Sequence, residues 1–333
     1  MKRLTILLLL VYTSIPCEAQ KIKEIDIPSE SIDSFTSRQP ARELYRDSSS
    51  AYFPIFVIEN IICVTHPRKD FKYAIDFYDK EKGDSLGHSI DLLAEDIPWF
   101  NPLYSQHQGN IILHDNTVKR IAVIDAQKAV NEPGYTPVIR ETNIMSMRFV
   151  PYGDRLIFWN QYGHDPQFPR IIVSDTEWNY QYPNKININA FNVDHGEILL
   201  NQREDIVFFV HKRQPTIEIM DTRGVVNTII RFNHPATEIA AIEMNGIRTF
   251  VYKQPLVACF TAASSNEGTV AVSYSESKDS NFILIFDWTG KLITGFKVSG
   301  EVYSLSVSNN GEFIYTWENS GNENVLKEYS TSQ

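Results

Sequence analysis

From Asn281 to Trp317 apolar and polar residues alternate in short runs, and each run stops at Asp, Asn or Gly. Phe282 to Phe286 is followed by a turn at Asp287 to Gly290 and a run from Leu292 to Val298. Val302 to Val307 is followed by a turn at Asn309 to Gly311 and the run Phe313 to Trp317. Period-two alternation punctuated in this way predicts two successive β-hairpins.

The same unit recurs upstream with a period of about 50 residues, the signature of a repeat architecture. An Asp ends one apolar strand and opens a turn at Asp79, Asp125, Asp175, Asp221 and Asp287. A turn residue 16 to 22 positions earlier separates the two preceding strands, at Asn60, Gly109, Gly153, Asp205 and Gly268. Gly311 implies a sixth Asp near position 330, where Ser330 stands. We therefore expect six units of four strands each. The third has a weak outer strand near Trp178 to Tyr182, and the fourth opens at Ile198, with His195-Gly196 offering a rival register.

The sixth unit supplies only Val302 to Val307, Phe313 to Trp317 and Val325 to Tyr329. Ile22 to Ile27, with KEIDI as its core, is an alternating segment with no partner of its own. Pairing it beside Val325 to Tyr329 would close a ring and remove an open sheet edge. The fold class predicted is all-β: a six-bladed β-propeller over residues 20–333 with an N-terminal strand closing the last blade. A β-sandwich with insertions would not explain a missing last strand matched by a spare first one. Two stretches fall outside the blades. Pro28 to Ser50 is polar and reads as a linker over one face, and Asn233 to Leu256 reads as an inserted hairpin turning at Asn245-Gly246.

Residues 1–19 have the form of a secretory signal: Lys2 and Arg3, a short apolar run from Leu4 to Ile15, and Cys17-Glu18-Ala19 before a cleavage point. The run is too short to span a bilayer. In a competing reading Cys17 carries a lipid anchor, although Ile15-Pro16 fits a lipidation motif poorly. The formal net charge of -10 argues against nucleic acid as a partner. Cys63 and Cys259 fall inside apolar strand patterns of units that are not neighbours, so two buried thiols are expected and no disulfide.

The period, the signal-like start and the punctuation Asp287-Trp288-Thr289-Gly290 resemble the TolB-like six-bladed propellers of exported Bacteroidetes proteins. The resemblance implies an envelope protein of a family whose functions are mostly unassigned, and it carries over no functional residue.

Candidate chemistry comes from position. Loops between second and third strands open on one face of a propeller together with the connections between blades, and ligands commonly sit in that mouth. Counting from the inner turns places His66, His114, Asp115, Asn160, His211, Tyr274 and Trp317 at the ends of second strands. Imidazoles, amides and aromatics of this kind suit a ligand or a metal, imidazole binding transition metals and aromatics stacking on sugars or peptides, although positions 66 and 211, about half a ring apart, are too distant to share one ion. The loop Asn160 to Arg170 adds Tyr162 and His164, and Trp99-Phe100 lies between the first two units. The recurring Asp residues are expected to bond turn backbone. Gly87-His88-Ser89 matches a nucleophile elbow only in part and lacks the following helix. Neither a catalytic residue, a resident metal nor a cofactor is predicted. The expected function is a non-catalytic binding propeller at the cell envelope, with a protein or glycan partner. The alternative is a calcium-dependent lactonase or lyase, which would need Glu59, Asn143, Asn160 and Asp115 to converge on the axis.

Overall fold

The computed structural model describes residues 22–47, 54–68, 72–91, 103–107, 109–115, 118–144, 146, 148–160, 170–181, 196–233, 239–244, 247–252, 259–277, 280–319, 321 and 323–332. The leader, Trp99-Phe100, Tyr162 and His164 lie outside them. The chain opens with β1 (Lys23–Ile27), the short helix α1 (Ser29–Asp33) and β2 (Arg42–Asp47). The first blade is β3 (Ile55–Ile58), β4 (Ile61–Arg68), β5 (Lys72–Asp79) and β6 (Ser85–Asp91). The second is β7 (Leu103–His107), β8 (Asn110–Asp115), β9 (Arg120–Asp125) and, after helix α2 (Ala126–Asn131), β10 (Val138–Glu141). The third holds β11 (Phe149–Tyr152), β12 (Arg155–Trp159) and β13 (Ile171–Val173).

The fourth blade comprises β14 (Gly196–Asn201), β15 (Ile206–His211), β16 (Thr216–Asp221) and β17 (Val226–Phe232); its inner turn falls at Asp205 as counted, and its first strand begins two residues before Ile198. A separate hairpin follows, β18 (Ile239–Met244) with β19 (Ile247–Tyr252). The fifth blade is β20 (Phe260–Ser265), β21 (Val270–Ser277), β22 (Ser280–Phe286) and β23 (Leu292–Val298). The sixth is β24 (Glu301–Val307), β25 (Phe313–Asn319) and β26 (Asn324–Ser330). Together they form a six-bladed β-propeller.

Six apolar clusters fill the six wedges between successive blades. The one that shows the ring to be closed joins Ile55, Val57 and Ile62 of the first blade to Tyr315, Trp317 and Leu326 of the sixth. Both faces of a blade are buried against neighbours, which is why the second strands read as nearly unbroken apolar runs such as Ile206 to Val210. Cys63 and Cys259 are buried free thiols in the first and fifth blades.

Closure is made by an N-terminal strand, but the strand differs from the one its pattern suggests. The KEIDI segment, β1, lies parallel to β17 on the outside of the fourth blade, from Lys23 opposite Thr228 to Ile27 opposite Phe232. The partner of β26 is β2, antiparallel, from Arg42 opposite Glu328 to Asp47 opposite Asn324. Of the segment Pro28 to Ser50, residues 28–47 are therefore no linker over a face. Between β1 and β2 the chain buries Ile32 in the wedge between the fourth and fifth blades. It then bridges Ser37 to Lys297 on the fifth blade's outer strand, where Arg38 N–H donates to Lys297 O (3.0 Å). One continuous strap thus crosses the outer edges of three blades. Edge strands with one half-buried face carry little hydrophobic signal, and RELYRD, polar at most positions, shows almost none.

The strap is also locked laterally. Arg42 Nε donates to Glu328 on β26 (2.8 Å), while its other nitrogens reach Glu81 in the outer turn of the first blade (2.7 and 2.8 Å). These charges raise the Arg42 pKa still further, so the guanidinium stays charged at any working pH.

All five recurring Asp residues bond turn backbone. Asp79 accepts from Glu81 and Lys82 N–H (2.9 Å each), Asp175 from Glu177 (3.0 Å) and Asn179 (2.8 Å), and Asp221 from Arg223 (2.9 Å) and Val225 (3.0 Å). Asp287 accepts from Thr289 (2.9 Å) and Lys291 (3.0 Å), and Asp125 caps α2 through Lys128 N–H (2.9 Å). Each turn leads from a third strand toward a fourth. Ser330 stands where a sixth Asp would because the fourth strand there arrives from the other end of the chain, so there is no turn to bond. Gly290 closes the Asp287 turn at φ +85°, where its missing side chain also leaves room for Ile219 Cδ1.

The third blade has three described strands. The segment predicted as its outer strand docks instead on the second blade. Asn143 exchanges hydrogen bonds with the backbone of Tyr180 (2.8 and 2.9 Å), Thr142 donates to Trp178 O (2.7 Å), and Arg140 covers the Trp178 ring at 4.5 Å.

Candidate functional site

The innermost strands leave their inward backbone edges without a ladder partner, and serine hydroxyls from neighbouring blades satisfy part of that edge. Ser304 accepts from Ile55 N–H (3.2 Å) and donates to Ile55 O (2.7 Å), and Ser306 accepts from Val57 N–H (3.1 Å). Ser264 accepts from Val307 N–H (3.2 Å) in the same way. Ser306 also donates to Gln106 Oε1 (2.7 Å), while Gln106 Nε2 donates to Val57 O (3.3 Å). Buried polar groups need such partners. The fifth, sixth, first and second blades are stitched together around the axis as a result.

Gln106 is the waist of the axial channel. It lies on the wall of two cavities, one toward each face of the ring, and no other described residue lines both. The cavity of about 400 Å³ opens among the inner turns, beside His107, Asn201, Asn266 and Glu267. Two of its amides, Asn201 and Asn266, are committed to those turns. Asn266 accepts from Gly268 (2.9 Å) and Thr269 (2.8 Å) N–H and donates to Ser308 O (2.9 Å), and Asn201 accepts from Glu204 N–H (3.2 Å).

The other cavity, about 280 Å³, opens on the face where inner strands begin and second strands end. Pro54, Tyr104, Tyr303 and Leu305 form an apolar and aromatic wall, and Arg148, Glu197 and Lys212 supply charge. Arg148 immediately precedes β11 and Glu197 is the second residue of β14, so the mouth brings them together. Their contact is bidentate, Nε to Oε2 at 2.8 Å and a terminal nitrogen to Oε1 at 2.9 Å. Burial lowers the Arg148 pKa, and Glu197 more than offsets it, for a net rise. Lys212 follows the end of β15, and its carbonyl accepts from Phe260 N–H (3.2 Å), which ties the loop to the fifth blade. Its ammonium has no hydrogen bond or ion pair with any described residue. Burial pushes its pKa below the ordinary lysine value, with Glu197 opposing and Arg148 reinforcing.

The residues predicted from second-strand ends are placed elsewhere. None of His66, His114, Asp115, Asn160, His211, Tyr274 and Trp317 lines either cavity. His114 meets Phe149 of the third blade edge-on at 4.3 Å, and Tyr274 packs on Phe232 of the fourth at 5.1 Å. Trp317 packs on Tyr45 of the closing strand at 6.2 Å, and His211 lies edge-on to Phe209 at 4.7 Å. His66 sits 2.9 Å from Asp76 on its own blade, while Asp115 and Asn160 are fully buried. Apart from His66, whose side chain is partly exposed, these residues are buried, and they do not meet each other.

His211 has a polar neighbourhood of its own. Glu218 Oε1 lies 3.7 Å away and also bonds Arg170. Burial alone would raise the Glu218 pKa, but His211 and Arg170 more than offset it and hold the carboxyl down at about 2. The residues an axial calcium site would need are not brought together. Glu59 lies in an inner turn, bonded to Gln127 (2.8 Å) and Asn309 (3.2 Å), on the face opposite Asp115 and Asn160. Asn143 is engaged with Tyr180 at the rim. Among the described residues no three His, Cys, Asp or Glu side chains form a metal-holding group.

The charged trio of the mouth was within reach of the sequence. Arg148 and Glu197 interrupt apolar strand starts, and Lys212 is one position past His211. Nothing in the one-dimensional pattern, however, says that positions 148, 197 and 212 face a common axis.

Two buried histidines are expected to make the fold acid-sensitive. Burial pushes His107 down to about 4 and His114 down to about 3, from 6.5. The unfolded chain then takes up their protons first, so the stability they contribute is complete above about pH 6.5 and is lost as pH falls toward their folded values. Chemical denaturation is expected to show a loss of about 2 kcal/mol per histidine, as an upper bound, between pH 7 and pH 5. The double variant His107→Gln, His114→Phe should flatten that slope. An unchanged slope in the variant would refute the assignment.

No family model matches the chain, and no curated protein does either. Solved structures of similar shape include a chain of the mitotic checkpoint complex, 11% identical, with 89% of this chain and 96% of that one covered and a TM-score of 0.49. A member of the duf4221 family from Bacteroides vulgatus is 11% identical over 88% of this chain and 96% of its own, with a TM-score of 0.47. The β-propeller domain of Cps50 (Swd1) from Myceliophteria thermophila is 10% identical over 86% and 99%, with a TM-score of 0.44. None of these likenesses bears on function.

Proposed function

We propose that the protein is an exported, non-catalytic binding propeller of the cell envelope, similar in kind to TolB-like propellers, and that it takes a ligand, glycan or protein partner in the axial mouth beside Tyr104, Arg148, Glu197 and Lys212. The observation that carries this reading is a cavity lined by residues from all six blades, Arg148 standing for the third, in which one cation has no partner among the described residues. Concave sites with a few convergent polar groups on a mostly apolar wall are where small ligands and anchoring side chains bind. Export is supported by the basic start and short apolar run of residues 1–19. Among the described residues no helix is long and apolar enough to cross a membrane.

Ser105→Trp fills the mouth from β7 and leaves the stitching serines Ser264, Ser304 and Ser306 unsubstituted. Cross-linking in envelope extract, followed by capture through a C-terminal tag, is expected to recover a bound molecule with the native chain and to lose it with Ser105→Trp. A parallel deletion of residues 239–252 tests whether the hairpin contributes. Equal recovery by the native and Ser105→Trp chains, both folded by circular dichroism, would overturn the mouth as the site, and no recovery from either would overturn the binding role.

A further inference from the structure

We infer that the axial mouth recognises a singly charged carboxylate, received by the Lys212 ammonium, with the uncharged remainder of the ligand against Tyr104 and Tyr303. The inference rests on the reading of this cavity as the ligand site and adds the chemistry of what enters it.

The argument is one of charge and geometry. Arg148 is neutralised by the bidentate Glu197 carboxylate, so its fork is occupied and cannot also clamp an incoming anion. Lys212 lines the same wall with its backbone fixed to Phe260 and its ammonium without a partner among the described residues. Glu301 and Arg213 both act on Lys212, with opposite sign. The mouth is therefore short of one negative charge. A half-buried unpaired ammonium is costly, and an anion that pairs with it regains that cost on binding. A carboxylate supplies one charge and acceptor lone pairs for three ammonium protons. A phosphate dianion would bring a second charge next to Glu197 and Glu301, in a chain of net charge -10. The two tyrosines and Leu305 suit an apolar body, and a cavity of about 280 Å³ admits a small acid or the last residues of a peptide, not a long chain.

These two sources of carboxylate are separated by the choice of probe. Titration calorimetry on the full chain is run with phenylacetate and its neutral analogue phenylacetamide, with acetyl-Ala-Ala-Phe bearing a free C-terminus and with the same peptide amidated, and with inorganic phosphate. At least one free acid is expected to bind and its amide partner to be at least about tenfold weaker, the scale of a charge-assisted hydrogen bond. Phenylacetate alone identifies a small acid, and the peptide acid alone identifies a chain terminus. Lys212→Met should weaken the binding acid by at least about tenfold while holding or raising the melting temperature, because it removes an unpaired charge, and Lys212→Arg should retain binding. Failure of both acids to bind, indifference to amidation, undiminished binding by a folded Lys212→Met chain, or tighter binding of phosphate would each overturn the inference. If Ser105→Trp still abolishes capture of the native ligand while the acids fail, the mouth stands as the site and only its carboxylate chemistry falls.

Discussion

A chain that begins at residue 48 will not hold the ring closed. It is expected either to aggregate or to melt about 10 °C or more below a chain that begins at residue 20. Removing β1, α1 and β2 strips the ladder from Arg42 to Asp47 off β26 and leaves the sixth blade with an open edge, a template for pairing with other chains. It also exposes the wedge that Ile27 and Ile32 fill, each buried side chain contributing about 1.5–3 kcal/mol. The summed loss of about 5 kcal/mol or more is what sets the expected fall in Tm. A monomeric truncated chain with an unchanged Tm would show that the strap is decoration. A point variant probes the same device without deleting anything. A Cβ on Gly295 would stand 2.6 Å from the Phe35 ring, so Gly295→Ala should cost about 1–3 kcal/mol by displacing the strap. Phe35→Ala in the same chain should make the Gly295→Ala change nearly neutral.

The second large effect concerns a buried charge in the sixth blade. Glu318 is fully buried and its two oxygens are fully engaged: Lys327 Nζ at 3.0 Å, Tyr329 Oη at 2.8 Å, Thr316 Oγ1 at 2.6 Å and Gly300 N–H at 3.2 Å. Burial and the adjacent carboxylate both raise the Tyr329 pKa, so its hydroxyl remains a donor. Lys327 also donates to Ser299 (2.9 Å). Glu318→Ala would leave the Lys327 ammonium, itself buried, without its counter-charge, and we expect a loss of about 3–5 kcal/mol in urea denaturation. The double variant Glu318→Leu, Lys327→Met removes both charges and should recover most of it, since well-packed apolar residues can replace a buried ion pair at little cost. If Glu318→Ala costs less than about 1 kcal/mol, or if the double variant is worse than the single, the network does not stabilise the blade as described.

The blade count was legible because it depends on local physics. Turn Asp residues at Asp79, Asp125, Asp175, Asp221 and Asp287 serve backbone donors two to four residues away, and alternation within a hairpin reports only on neighbours in the chain. The need for a strand from the other end was legible too, because the sixth unit supplies only three strands and the N-terminus carries an alternating segment without a partner. The candidate site was far less legible. Ring positions counted from turns gave His114, Tyr274 and Trp317, which pack in wedges, while the mouth is lined by Lys212, one residue past the counted His211, and by Arg148, which precedes a first strand and was never counted.

By itself, then, the sequence determined an all-β repeat of six units, its turn chemistry, and the need for an N-terminal strand to complete the last one. Only the tertiary structure decided that RELYRD rather than KEIDI makes that closure, that residues 23–47 strap three blades, and that Arg148, Glu197 and Lys212 share an axial mouth. Hairpin pairing is set by residues a few positions apart, whose pattern is written along the chain. Closure and the mouth join positions separated by tens to hundreds of residues, and the competing partners of a polar edge strand differ too little in hydrophobic pattern for the chain alone to choose between them.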